Sequence, residues 1–297
     1  MQDLTEETVT EAVLEQMAST PDPRLKEVMA SLVRHMHDFA REVRLTPEEW
    51  LKAIGFLTQV GQMCTETRQE FILLSDVLGL SALVQQMHDA PVAAEGTQSS
   101  LLGPFYRQDA PEVPLGGSIA RQATGPELLL YGTVRDSHGE PLAGAYIQLW
   151  QTDPDGLYDL QARDATIDMR GNIRCDDQGR YWVRTLKPRG YSIPMDGPVG
   201  TLVRRQNRHG HRPAHIHFLI SAPGHRELVT ALYFADDAHI DSDTVFGVSS
   251  QLVVHARAND PDAPVRGIPA VRYDFKLAAE SSGGSGRVGA DPKQLAA

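Results

Sequence analysis

Two histidines, His215 and His217, stand two residues apart in HRPAHIHF, residues 211–218, with His211 and Arg212 just ahead of them. On a β-strand, residues i and i+2 share a face with Cα atoms about 7 Å apart, so both imidazoles could reach one metal ion. The same spacing also fits a strand in which one histidine faces the core and the other makes a structural hydrogen bond. Two tyrosines lie in loops of unusual composition. Tyr158 follows the turn Asp153-Pro154-Asp155-Gly156, and Tyr191 sits in KPRGYSIPMDGPVG, residues 187–200. Loop tyrosines commonly pack or cap, yet such loops are where a β scaffold carries functional groups. Two imidazoles with two phenolates make a hard, anionic donor set that suits Fe(III) better than zinc, copper or magnesium. A tyrosine with a pKa near 10 binds as phenolate only against a strongly charged cation.

Those side chains need a scaffold, and from Leu128 the sequence reads as one built of strands. LLLYGTVRD, SHGE and PLAGAYIQLWQ read as two strands around a tight turn, and DDQG before RYWVRTL repeats the pattern. HIHFLIS, LVTALYF, QLVVHARA and VRYDFKL add further strands. Many short strands predict a β-sandwich or barrel, with helices as a separate layer. Residues 3–90 instead carry helical periodicity, as in Leu25, Val28, Met29, Leu32, Val33 and Met36. Thr46-Pro47-Glu48-Glu49 is a capping box that opens a helix running to about Met63. The fold class expected is mainly β: an N-terminal helical region over 1–98, a β-sandwich domain over 99–280, and a polar, Gly-rich tail over 281–297 expected to be disordered. No solenoid-type repeat is present.

Bulk properties narrow the function. With 297 residues and 41% hydrophobic content, the chain can bury one large core or two modest ones. Its net charge of −11 is uneven, since residues 1–98 hold 16 acidic and 7 basic side chains. That balance argues against a nucleic-acid partner, which needs a basic footprint. Arg204, Arg205 and Arg208 form a local basic cluster that reads as solvated loop charge. No stretch approaches the roughly 18 consecutive apolar residues of a membrane span, and the acidic MQDLTEETVT is unlike a signal peptide. A cytoplasmic location without a membrane partner is expected. Cys64 and Cys175 fall in different regions, which argues against a disulfide framework or a cysteine metal site.

From about Glu6 to Leu277 the sequence resembles the intradiol ring-cleaving dioxygenases, and within the catechol dioxygenase group the hydroxyquinol-cleaving branch. Five blocks in order carry the resemblance: LLGPFYRQDAP at 101–111, WQTDPDGLYD at 150–159, RGYSIPMDGPVG at 189–200, RPAHIHFLISAPG at 212–224 and DSDTVFGV at 241–248. The resemblance implies one non-haem Fe(III) per subunit, with Tyr158, Tyr191, His215 and His217 as ligands and Tyr191 and His217 axial. It implies that an aromatic diol binds as a dianion and displaces Tyr191, which then acts as a base, while the ring opens with O2 between its hydroxylated carbons. Arg212 matches the family arginine that stabilises charge on the ring. His211 matches no role and reads as exposed.

The resemblance also implies a substrate pocket of Leu73, Asp76, Leu101, Leu102, Gly103, Pro104, Phe105, Ile193, Pro194 and Val245. On helical periodicity alone, Leu73 fits plain core better than a pocket. Asp76 is a carboxylate amid apolar residues and needs a polar partner, which a third substrate hydroxyl would supply. Ala231 departs from the family, many of whose members carry glutamine or histidine there, and leaves the polar support of the diol in doubt. The helical region implies a homodimer, with a phospholipid at its interface as a family trait. Two other readings share parts of the pattern. GTVRDSHGEPLAGAYIQLW also fits a non-catalytic transthyretin-like binding module, and the histidines alone would fit a zinc hydrolase, although no HExxH helix is present. Catechol or chlorocatechol cleavage is the alternative within the family.

Overall fold

The structure, a computed structural model, describes residues 3–65, 68–90, 95–161 and 166–280. The tail expected over 281–297 lies outside the described residues. The chain divides into two compact units, Met1–Gln59 and Val60–Ala297. This division falls well before residue 98, where the composition changes.

The first unit holds α1 (Val9–Gln16), α2 (Pro23–Glu42) and most of α3 (Pro47–Gln62). Asp22 caps α2 by accepting from the backbone of Arg24 and Leu25, with Pro23 at the first helical position. At α3 the expected capping box forms: Thr46 N–H donates to Glu49 Oε2 at 3.0 Å, and Glu49 N–H returns to Thr46 Oγ1 at 3.3 Å. Arg41 ties α1 to α2 through the Glu6 carbonyl and Thr10. No residue of α1 or α2 is buried, so the apolar stripe of α2, from Leu25 through Leu32 and Phe39 to Val43, stays exposed.

The second unit adds α4 (Glu70–Val77) and α5 (Leu80–Asp89), then β1 (Glu127–Asp136), β2 (Tyr146–Gln151), β3 (Arg170–Arg174), β4 (Arg180–Leu186) and β5 (Tyr191–Ser192). After α6 (Pro198–Arg205) follow β6 (His211–Arg212), β7 (His215–Ser221), β8 (Leu228–Phe234), β9 (Val253–Val254), β10 (Ala270–Arg272) and β11 (Phe275–Leu277). One sheet runs β3-β2-β7-β8-β9; the other centres on β1, paired with β4, β10 and β11. The core lies between them. Leu128, Leu130 and Val134 of β1 meet Ile147 and Leu149 of β2 and Ile216, Phe218 and Ile220 of β7. This is the sandwich the strand pattern predicts.

Two hairpins read from the sequence are not formed. The turn after β1 closes tightly, with Asp136 N–H on the Glu140 carbonyl and an Arg135–Pro141 bridge, but β2 then crosses to the other sheet. The DDQG turn likewise carries the chain from β3 in one sheet to β4 in the other. Turn chemistry fixes a reversal without fixing which sheet receives the next strand. QLVVHARA contributes only the short β9, and VRYDFKL splits into β10 and β11, both parallel to β1.

The proline- and glycine-rich segment after Tyr191 also contains a helix that periodicity did not reveal. Pro198 opens α6, and the buried Glu70 of α4 accepts from Val199 N–H near its start. Arg204 and Arg205 are exposed in its last turn. Arg208 departs from the solvated reading: it donates to the Val77 and Thr244 carbonyls at 2.8 and 2.9 Å and lies over the Phe246 ring.

Candidate metal centre

Strand alternation builds the centre. Along β7, Ile216, Phe218 and Ile220 enter the core, so His215 and His217 leave the opposite face of the sheet. His217 pairs with Trp150 of β2 and Ala231 of β8, and His215 pairs with Tyr233. The Trp150 indole stacks on His217 at 5.0 Å and 6°. Directly after β2, Asp153 Oδ1 accepts from the backbone of Asp155 and Leu157, closing the turn that delivers Tyr158. Gly156 sits in this turn at φ +87°, where a Cβ would lie 3.2 Å from the Gly190 carbonyl. Glycine therefore lets the Tyr158 turn approach the segment bearing Tyr191.

The four donor side chains converge. His215 Nε2 lies 3.1 Å from His217 Nε2 and 3.3 Å from Tyr158 Oη, and the rings of Tyr158 and Tyr191 meet edge-on at 5.4 Å. Arg212 Nη1 is 3.5 Å from Tyr191 Oη and 3.4 Å from His215 Nε2. His215, His217 and Tyr158 are each at least 98% buried, with 2%, 2% and 1% exposure. Burial, then Arg212, holds His215 well below the usual imidazole range, against the hydrogen bond to Pro213. Burial, His215 and Arg212 act alike on His217. Burial raises the Tyr158 phenol well above its usual value, and Tyr191 adds to the shift. Burial opposes the charge of Arg212, but Asp243 and the two neighbouring tyrosines outweigh it and keep the guanidinium protonated.

This arrangement fits a metal. His215 Nδ1 lies 2.7 Å from the Pro213 carbonyl, which places its proton there and leaves the Nε2 lone pair facing the other donors. The buried His217 Nδ1 has no hydrogen bond of normal geometry, although the Leu101 backbone beside it favours a proton at that ring. A metal cation would balance the lone pairs that two neutral imidazoles and a phenol bring together at this spacing. Nitrogens about 2.1 Å from one metal and near right angles lie about 3 Å apart, as these do. Among the described residues no three His, Cys, Asp or Glu side chains are arranged to hold a metal ion, so the centre depends on phenol oxygens.

Around the donors, Phe105 stacks on Tyr158 at 4.3 Å and 17°, and Leu102 packs on the cluster of Trp150 and Tyr158. Gly103 lies beside the His217 ring. Ile193 and Val245 are buried, and Leu101 is half-buried. Leu73 and Pro194 are half-buried and Pro104 is exposed, so their assignment to a pocket rests on the resemblance. Asp76 is 9% exposed, and burial raises its carboxyl above the ordinary range, with Ser81 and Arg212 opposing. Ala231 is fully buried beside His217; the polar group on the same face of β8 comes two residues later, at Tyr233. His211 is exposed and stacks on His239 at 4.5 Å.

Several contributors were not singled out from the sequence. The Arg170–Asp159 ion pair is buried, and Arg170 also donates to the Phe105 carbonyl at 3.0 Å, so it joins the segment after Tyr158 to the ring stacked upon it. Asp243 receives Arg212 Nε and Nη2 at 3.1 and 3.2 Å. Strand alternation in LVTALYF would have put Tyr233 on the histidine side; the partners of Asp159 and Asp243 carry no local signal.

A β-sandwich with two imidazoles and two phenols converging on one sheet face matches what the dioxygenase resemblance implies. A family profile described as dioxygenase matches residues 103–279, and one described as catechol dioxygenase N terminus matches residues 22–96. The chain belongs to the intradiol dioxygenase family, an enzyme family that uses non-haem iron. It is 47% identical to the hydroxyquinol 1,2-dioxygenase of Rhizobium sp. (strain MTP-10005), over 84% of each chain. It is also 47% identical to the 6-chlorohydroxyquinol 1,2-dioxygenase of Cupriavidus pinatubonensis, over 85% of this chain and 92% of that protein. The crystal structure of the hydroxyquinol 1,2-dioxygenase from Pseudomonas putida DLL-E4 superposes with a TM-score of 0.86 at 40% identity, covering 93% of this chain and 99% of that one. Family membership rules against the binding-module and zinc-hydrolase readings. Among the described residues no single helix is long and apolar enough to cross a membrane.

Proposed function

We propose that the protein opens hydroxyquinol, benzene-1,2,4-triol, between its adjacent hydroxyl-bearing carbons, using one Fe(III) per subunit held by Tyr158, Tyr191, His215 and His217. Both atoms of O2 enter the product, 3-hydroxy-cis,cis-muconate, which is the enol form of maleylacetate. The observation that carries this reading is the convergence of Tyr158 Oη, His215 Nε2 and His217 Nε2 within 3.3 Å neighbour distances, with Arg212 bridging to Tyr191. A ferric ion held by these four side chains would supply the Lewis acidity that activates a bound diolate toward O2.

The chain's own groups do the rest. Tyr191, only half-buried, would hold the metal as a phenolate and is the ligand free to leave its place and take a diol proton, becoming a neutral phenol. Arg212, kept cationic by Asp243, offers fixed positive charge to the ring as negative charge develops there. Trp150 holds the His217 ring, and Phe105 with Leu102 walls the centre from water.

Asp76 supports hydroxyquinol over catechol, because a carboxyl raised by burial gains a partner when a third hydroxyl arrives. The names of the two relatives at 47% identity agree with that choice. Residues 99–280 would form the catalytic domain and residues 1–98 the dimerisation region. The exposed stripe of Leu25, Leu32 and Phe39 supports pairing with a second copy, as does the match to the family's N-terminal profile.

The test is product analysis after turnover of hydroxyquinol under 18O2. A ring-opened diacid carrying two labelled atoms is expected. An aldehyde product, opened beside the diol instead of within it, would overturn the assignment.

A further inference from the structure

We propose that Tyr233 is a positioning residue for Arg212, acting through a closed ring of hydrogen bonds among Arg212, Asp243, Gly247, Ser100 and Tyr233. The inference rests on the proposed role of Arg212 at the diol.

The ring is built from four separate parts of the chain. Arg212 Nη2 donates to Asp243 Oδ2 at 3.2 Å and to Tyr233 Oη at 3.4 Å. Gly247 N–H donates to the same Asp243 oxygen at 3.0 Å. Ser100 Oγ donates to the Gly247 carbonyl at 3.2 Å and lies 2.8 Å from Tyr233 Oη. One assignment of the protons satisfies every group in the ring. Ser100 spends its single proton on Gly247, so it must accept from Tyr233. Tyr233 spends its own proton on Ser100 and turns a lone pair toward Arg212. Each member polarises the next, and the side chains of Tyr233, Arg212 and Ser100 are buried, at 0%, 3% and 4% exposure, while Gly247 is half-buried.

Close packing around Gly247 supports the ring independently. A Cβ there would fall 2.7 Å from Tyr233 Oη, 3.0 Å from Arg212 Nη2 and 3.2 Å from Asp243 Oδ2. Only glycine admits the three groups together. With Nε and Nη2 held on this side, Nη1 is aimed the other way, toward Tyr191 and His215. A guanidinium is a rigid plane, so fixing one edge fixes the other. Asp243 takes Nε and Nη2, and Tyr233 takes a second hydrogen bond from the same Nη2, so both N–H directions of Nη2 are engaged on this side.

The experiment combines kinetics with a measurement on the metal-free protein. Tyr233→Phe keeps the ring and removes one hydrogen bond to a charged group, so kcat should fall about tenfold while KM changes less than about twofold. In an Arg212→Lys background the same substitution should change kcat by less than about twofold, because the planar guanidinium it orients is gone. Ser100→Ala, which releases the Tyr233 proton, should lower kcat in the same direction by a smaller factor. In metal-free protein labelled with 15N-arginine, the Arg212 side-chain Nε–H signal should shift and lose exchange protection in Tyr233→Phe. An unmoved signal overturns the positioning role whatever the activity. An equal fall in kcat with and without the Arg212 guanidinium overturns it too, since Tyr233 would then act independently. Failure of ring cleavage itself, by contrast, would count against the diol chemistry and leave the NMR result to decide the ring.

Discussion

His215 and His217 hold their Nε2 atoms 3.1 Å apart on one face of β7, in a place from which water is excluded and in which neither ring is charged. Neutral imidazoles this close share at most one N–H···N hydrogen bond, which leaves the remaining lone pairs without a partner. A metal cation accepting both lone pairs would stabilise the arrangement further, and Tyr158, a phenol that burial keeps from ionising alone, would gain from the same cation. The proposed donor set would therefore behave as one unit with its metal.

Replacing Tyr158 should separate the ring from its oxygen. Tyr158→Phe keeps the stack on Phe105 and so the local packing. It should bleach the tyrosinate-to-iron charge-transfer absorption contributed by this residue and lower turnover more than about 100-fold, beyond what the loss of an outer partner costs. A visible spectrum unchanged at equal iron content would remove Tyr158 from the centre.

The β7 alternation was legible because period-two spacing needs no distant information, and the Thr46–Glu49 capping box was legible because both partners lie within one helical turn. The sheet assignment of β1 and β2 was not, since the SHGE turn fixes a reversal and the packing of two sheets decides where the next strand goes. Helix α6 was hidden by glycine and proline ahead of it, and its first turn is stabilised from α4 by Glu70, 129 positions away. Asp243 stood inside a quoted block, but its use became visible only when Arg212, 31 positions earlier, folded against it.

The Asp159–Arg170 ion pair predicts a stability effect transmitted to the centre. Both side chains are essentially inaccessible, at 1% and 2%. Asp159→Asn should destabilise the metal-free protein by about 3–5 kcal/mol in urea unfolding, chiefly by leaving Arg170 charged without its partner. Iron retention should weaken as well, because Arg170 also holds the Phe105 carbonyl. A loss below about 1 kcal/mol would mean that the pair is solvated in solution.

Asp76 predicts a pH dependence of stability with a definite sign. Its carboxyl is raised by burial in the folded chain, so above about pH 4 the unfolded chain ionises more readily and the native state is penalised. The native contribution is intact below the unfolded pKa and is lost as pH rises through the folded one. Asp76→Asn should accordingly stabilise the metal-free protein at neutral pH, with the gain fading toward about pH 4. It should also cut kcat/KM for hydroxyquinol about tenfold relative to catechol, as the third hydroxyl loses a charged partner. A stability gain that is the same at both pH values would contradict the burial argument.

The exposed face of α2 predicts association. Leu32 and Phe39 are 47% and 56% exposed on one stripe. Replacing both with glutamate should convert a dimer to a monomer in sedimentation velocity, while the ring-cleaving centre keeps its visible spectrum. A native chain that sediments as a monomer at micromolar concentration would refute the pairing.

The most direct measurement is oxygen uptake by the iron-loaded protein with hydroxyquinol and with catechol side by side, its visible spectrum taken before either is added. The account predicts a coloured protein that consumes one O2 per ring and turns over hydroxyquinol faster. A coloured protein that prefers catechol would contradict the role given to Asp76. A colourless protein that takes up no oxygen after loading with iron would contradict the metal centre itself.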